Sequence, residues 1–206
     1  MNSRRPRYVE PKMPYAGRVR RLALAAFVFC LVSATNGGSQ TSRVPATVQA
    51  SLIAKVASFD RNFAERAGTR VVILVVRAPD DSQSAHDAAS LTSALKDTAK
   101  IGNLPHEEVN LTYSGAAALA AQVRARRATI VYFGSGFAEQ IPAIRSEFSS
   151  LNVLTFGAVS DYVPAGIVLG VDLVSGRPKL SINLTQAQKQ KVSFPAAVLN
   201  LMKVYR

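Results

Sequence analysis

Seven residues, Arg70 to Val76 (RVVILVV), constrain this chain more than any other stretch. All but Arg70 are apolar, and in a strand they fall on both faces, so neither face is suited to water. Such a strand belongs inside a parallel sheet that helices cover on both sides. Its parallel neighbours then have to be reached through crossover connections, and the rest of the sequence should alternate helix with strand.

It does alternate. Upstream, Val48, Leu52 and Val56 recur every four residues with Ile53, Phe59 and Phe63 alongside, which predicts one helix from Val44 to about Arg66, ended by Gly68. Downstream, Ala78-Pro79-Asp80-Asp81-Ser82 is a polar turn, and Leu91 and Leu95 with alanines between them predict a helix from about Ser84 to Lys100. Glu108 to Tyr113 is a weaker, alternating strand, and Ser114 is placed to cap a helix that points Leu119 and Val123 inward. Thr129 to Phe133, a helix from about Ala138 to Phe148, and a strand from Asn152 to Phe156 complete the alternation. The pattern predicts a three-layer α/β/α domain around a mostly parallel sheet with right-handed crossovers.

The C-terminal quarter changes period. Ile167 to Leu173 is apolar on both faces, Ser175-Gly176 marks a turn, and Lys179 to Leu184 alternates, with Leu180, Ile182 and Leu184 on one face. This reads as a hairpin extending one edge of the sheet. Thr185, three residues before Gln188, suits a capping box and a short helix from Gln186. After Ser193 and Pro195, the residues Val198, Leu199, Met202 and Tyr205 recur at helical spacing, predicting a terminal helix with one apolar stripe.

The formal charge of +12 overstates how basic the domain is, because the first 34 residues hold seven Lys or Arg against one Glu. The remainder carries 18 basic and 12 acidic residues, a mixed surface that does not suggest a nucleic-acid partner. Residues 1–34 read as an export signal: Arg18, Arg20 and Arg21 precede an apolar run from Leu22 to Val32, and Val32 and Ala34 suit cleavage after Ala34. That run of 11 residues is short of the roughly 20 a membrane-spanning helix needs. Met13 is an alternative start, general secretion is favoured over a twin-arginine route, and residues 35–43 read as a flexible tether to a domain over 44–206. The sole cysteine, Cys30, lies inside the signal, so the exported chain has neither a disulfide nor a thiol metal site.

Catalytic patterns are absent from the sequence. Gly134-Ser135-Gly136, after a strand, is the candidate ligand loop, because successive N–H groups before a helix can hold an anion. It matches neither a Walker loop nor a dinucleotide fingerprint, and a plain turn is the favoured reading. It also lacks the G-x-S-x-G spacing of a nucleophile elbow, and His86 and His106, the only histidines, sit among acidic residues as solvated surface groups. Asp80 and Asp81 are read as turn and cap residues in preference to a Mg²⁺ pair. The triplets Asn110-Leu111-Thr112 and Asn183-Leu184-Thr185 fall in expected strands and are read as chance. No catalytic residue, metal site or cofactor is assigned, which favours binding and regulation over catalysis.

From Val44 to Arg206 the chain resembles the YfiR family, bacterial periplasmic proteins that repress an inner-membrane diguanylate cyclase. The resemblance rests on Val159-Ser160-Asp161, Gly166 before an apolar strand, Ile182-Asn183-Leu184 at the end of the next strand, and Leu199, Met202 and Val204. Leu52 to Phe63 and the strand Val71 to Val76 support it. The resemblance implies a periplasmic α/β fold without enzymatic activity, homodimer formation, and contact with an inner-membrane sensor, either a cyclase or a histidine kinase. Phe59, Phe63, Met202 and Tyr205 are the candidate apolar groups for that contact, with burial in the core the favoured reading of each. The family's disulfide cysteines are missing, so redox gating does not carry over. A periplasmic solute-binding protein is the alternative, since parallel sheets bind small molecules at their strand ends.

Overall fold

The apolar run after Arg70 forms β1 (Val71–Arg77), flanked by β2 (His106–Thr112) and β3 (Ile130–Phe133), both parallel to it. This is a computed structural model, and it describes residues 43–206. The expected export signal with Cys30 and Met13, and the tether up to residue 42, lie outside the described residues. Beyond β3 come β4 (Leu154–Gly157) and β5 (Leu169–Val174), still parallel, then β6 (Arg177–Asn183), antiparallel to β5, and β7 (Lys203–Tyr205), parallel to β6. The sheet order is β2-β1-β3-β4-β5-β6-β7. The helices, in chain order, are α1 (Ala46–Ala57), α2 (Phe63–Ala67), α3 (Ser82–Lys96), α4 (Ala116–Arg126), α5 (Ile141–Phe148), α6 (Tyr162–Ala165), α7 (Leu184–Lys189) and α8 (Ala196–Leu199).

Two separate cores follow from the two apolar faces of β1. Val71, Ile73 and Val75 join Ile53 and Val56 of α1 and Leu91 and Leu95 of α3 on one side. Leu74 and Val76 join Leu119 and Val123 of α4, Ile144 and Phe148 of α5 and Tyr162 of α6 on the other. All five β1 side chains are fully buried, as expected of a strand with helices on both faces. The three-layer arrangement is therefore the one the apolar pattern predicts, with the hairpin and a following helix in place.

The expected single helix over 44–66 is in fact two, α1 and α2, separated by residues 58–62. A buried carboxylate fixes the break. Asp60 Oδ2 accepts from Arg66 Nη1 at 2.6 Å, and its Oδ1 accepts from the backbone N–H of Asn62 at 3.2 Å and of Ser193 at 2.9 Å. The side chains of this ion pair are 2% (Arg66) and 0% (Asp60) exposed. Straightening the helix would remove Asp60 from the partners that compensate its burial.

Ser175 and Gly176 both take positive φ (51° and 74°) between the paired residues Val174 and Arg177, as a tight hairpin turn twisted with its strands requires. α7 begins earlier than the Thr185 reading predicts, because Asn183 is its cap: Oδ1 accepts from Gln186 N at 2.9 Å. Similarly, α4 starts after Gly115, and Ser114 makes no cap bond. Helical structure after Pro195 is confined to the single turn of α8, and the expected stripe does not continue as a helix. Lys203, Val204 and Tyr205 instead pair with Ser181, Ile182 and Asn183, so the hairpin is flanked by one more strand and β7 forms that edge.

Candidate functional site

In a sheet ordered β2-β1-β3, the chain leaves β1 towards one side and comes back to β3 on the other. Open α/β sheets bind ligands at the C-terminal ends of their strands near such a reversal, but here the loops after β1 and β3 close on each other, Gly136 lying against Ala78 and Asp81. A crevice of about 250 Å³ lies beside them, on the α1/α3 side, over Tyr132 and the residues that follow β4. The segment leading into α1 supplies Arg43 and Pro45, α1 supplies Gln49, α3 supplies Gln83, His86, Asp87 and Ser90, and Tyr132 of β3 and Val159 also line it.

Asp87 is the hub of this site. Its carboxylate accepts from Gln83 Nε2 at 2.8 Å, one turn earlier on α3, and from the backbone N–H of Ser135 at 3.1 Å. Arg43 Nη1 stands 3.4 Å from Oδ1 and 3.3 Å from Oδ2. Behind it, the buried Tyr132 hydroxyl donates to Gln49 Oε1 at 3.1 Å, and Gln49 Nε2 donates to Val44 O at 2.8 Å. Burial pushes the Tyr132 phenol far above its ordinary value, and the Asp87 charge adds to the effect, so the hydroxyl stays neutral. Tyr162 is raised as well, chiefly by burial; its oxygen accepts from Phe137 N at 2.9 Å.

The candidate loop Gly134-Ser135-Gly136 does lie at this crevice end, but the protein's own carboxylates engage it. The Ser135 amide is used by Asp87, and a side chain on Gly136 would collide with Asp81 Oδ2. Asp81 caps α3, its Oδ1 accepting from Ser84 N at 2.9 Å, while Ser84 Oγ accepts from Ala78 N at 2.8 Å. Asp80 is a turn residue with φ of 53°. The cap-and-turn reading of the acidic pair thus describes both residues. The Ser135 hydroxyl is buried and has no hydrogen-bond partner among the described residues.

His86 is exposed and lines the crevice, with Nε2 3.4 Å from Ser90 Oγ. His106 is not the solvated residue its acidic neighbours suggest: its side chain is 7% exposed, with Nδ1 2.5 Å from Glu108 Oε1 and Nε2 2.6 Å from Thr98 O. These contacts tie the start of β2 to the chain following α3. Among the described residues no group of three or more His, Cys, Asp or Glu is placed to hold a metal, and no helix is long and apolar enough to cross a membrane.

Of the four expected contact residues, Phe63 and Met202 are buried in the core at 4% and 8% exposure, which withdraws them from the surface. Phe59 is 44% exposed and Tyr205 is half-buried. Leu201 at 77%, next to Met202, is the more exposed apolar group that helical periodicity missed.

A family model described as YfiR/HmsC-like matches residues 46–203, from the first residue of α1 to the first of β7. The chain belongs to the YfiR/HmsC-like family. Among curated proteins, none matches it by sequence. Two solved structures show the same fold. One is the ABC domain in complex with L-Trp from Streptococcus pneumonia, with a TM-score of 0.56 at 14% identity, covering 78% of this chain and 62% of that one. The other is a conserved domain protein from Vibrio cholerae O1 biovar El Tor, with a TM-score of 0.54 at 19% identity, covering 79% and 60%. The chain thus spans less than two thirds of either structure's length.

Proposed function

We propose that this protein is an exported, non-enzymatic regulator that holds an inner-membrane sensor, a diguanylate cyclase or histidine kinase, inactive through protein–protein contact in the periplasm. The observation that carries the reading is the family match, which runs across the whole α/β domain. An apolar signal-like stretch before the domain supports export. Among the described residues, Phe59 and Tyr205, joined by Val174, Leu201 and Val204, are apolar groups available to contact the sensor or a second copy in a homodimer. The test is to capture partners of the tagged protein from solubilised membranes and to measure cyclic-di-GMP in a deletion strain. Recovery of a sensor cyclase or kinase is expected. Recovery of neither, together with unchanged cyclic-di-GMP, sinks the proposal.

One observation favours a second reading, solute binding: the crevice between α1 and α3 has polar groups converging on a partly buried carboxylate. A thermal-shift screen of metabolites separates the readings, because a specific ligand raises the unfolding midpoint whether or not a sensor is present.

A further inference from the structure

We propose that the crevice between α1 and α3 binds a small organic cation carrying a guanidinium or primary ammonium group, with Asp87 as counter-ion and Arg43 as the internal group it displaces. The inference rests on the solute-binding reading of this crevice and goes beyond the regulator reading, since it concerns what the isolated protein binds.

The Asp87 side chain is 14% exposed, so its charge needs compensation. Gln83 and the Ser135 amide orient the carboxylate through bonds of 2.8 and 3.1 Å, but both donors are neutral. Among the described residues the cation paired with it is Arg43, which is 53% exposed and approaches no closer than 3.3 Å. A well-formed charge-assisted bond is about 2.7–2.9 Å, so Arg43 is loosely held and readily exchanged. The site accommodates a guanidinium without gripping it.

The remaining lining suits the same chemistry. The Tyr132 oxygen donates its proton to Gln49, which leaves its own lone pairs and the second lone pair of Gln49 Oε1 as acceptors. Ser90 Oγ adds a further acceptor, and Val44, Pro45 and Val159 offer apolar wall for a short alkyl chain. A cavity of about 250 Å³ is of the size for a small amine and below the roughly 300–1,000 Å³ of drug-sized pockets. An anion would have to settle beside the Asp87 carboxylate, with Arg43 and His86 the basic residues of the described lining.

The test is calorimetric titration of the purified protein with agmatine, putrescine and, as the anionic comparison, inorganic phosphate at low salt. One-to-one binding of agmatine is expected. Asp87→Asn should weaken it about tenfold or more, as loss of a desolvated charge pair does. Arg43→Gln should tighten it severalfold, because the internal competitor is gone; a purely structural role for Arg43 would not produce that gain. Arg43 is at the surface, so this variant decides the matter even if Asp87→Asn fails to fold. Silence with both amines in the wild type and Arg43→Gln, equal binding by folded Asp87→Asn, weaker binding by Arg43→Gln, or a preference for phosphate would each overturn the proposal.

Discussion

Replacing Asp60 by alanine tests how the amino-terminal helices are held to the chain that follows α7. The carboxylate receives one bond from Arg66 at 2.6 Å and two backbone bonds, and the ion-pair side chains are almost wholly removed from water. Removing one partner of a buried pair costs about 3–5 kcal/mol, mostly because the other charge is stranded. Arg66 is not left bare here, since Nε still donates to Asn152 Oδ1 at 2.8 Å and Nη2 to Lys191 O at 3.1 Å. That places the charge loss near the lower end, about 3 kcal/mol. The freed Ser193 amide is part-buried and adds about 1 kcal/mol. The expected total of about 4 kcal/mol is a large share of the 5–15 kcal/mol typical of a domain. Urea unfolding followed by circular dichroism would read it as a lower midpoint at unchanged slope. Arg66→Met and the double variant complete a cycle in which the double costs less than the sum by about 2 kcal/mol or more. A cost below about 1 kcal/mol for Asp60→Ala, or strict additivity, would refute the reasoning.

Three other perturbations have defined outcomes. Tyr132 and Tyr162 hold their protons more tightly folded than unfolded, so the stability they contribute is complete below about pH 10 and is lost as pH rises through their folded values. Thermal midpoints measured from about pH 8 to 12 should therefore fall steeply above about pH 10, and less steeply in Tyr132→Phe; a flat profile would contradict the burial. Asp81→Ala removes the α3 cap and should cost about 1 kcal/mol, read by the same urea assay. Phe59→Asp should leave stability within about 0.5 kcal/mol, because the ring is largely exposed, while reducing capture of the membrane sensor; undiminished capture would remove Phe59 from the contact surface.

What the sequence revealed and what it hid divide along the range of the interactions. β1 was legible because its burial is written into consecutive residues, and the α3 cap because Asp81 and Ser84 are three apart. The break after α1 was hidden, since it depends on Asp60 meeting Ser193, 133 residues away. β7 was misread for a related reason: Leu199, Met202 and Tyr205 do keep helical spacing, but pairing with Ser181, Ile182 and Asn183 outweighs local periodicity. For the crevice, only the strand-end position was foreseeable. Gln49, Asp87 and Tyr132 lie on three elements and form no motif, and Asp87 gained meaning only when α1 brought Arg43 beside it.

The two ends of the sheet bear on how this protein behaves when crowded. β7 offers only three residues and begins with Lys203, whose ammonium lies over the Tyr205 ring at 4.8 Å. At the far end, β2 opens with His106, Glu107 and Glu108. Short strands and charged residues are poor templates for another chain's backbone, so neither end invites the open-ended stacking that leads to aggregates. Any second copy or partner would then meet the protein through side chains, those of Val204 and Tyr205 included, and not by extending the sheet, and a concentrated solution should stay clear.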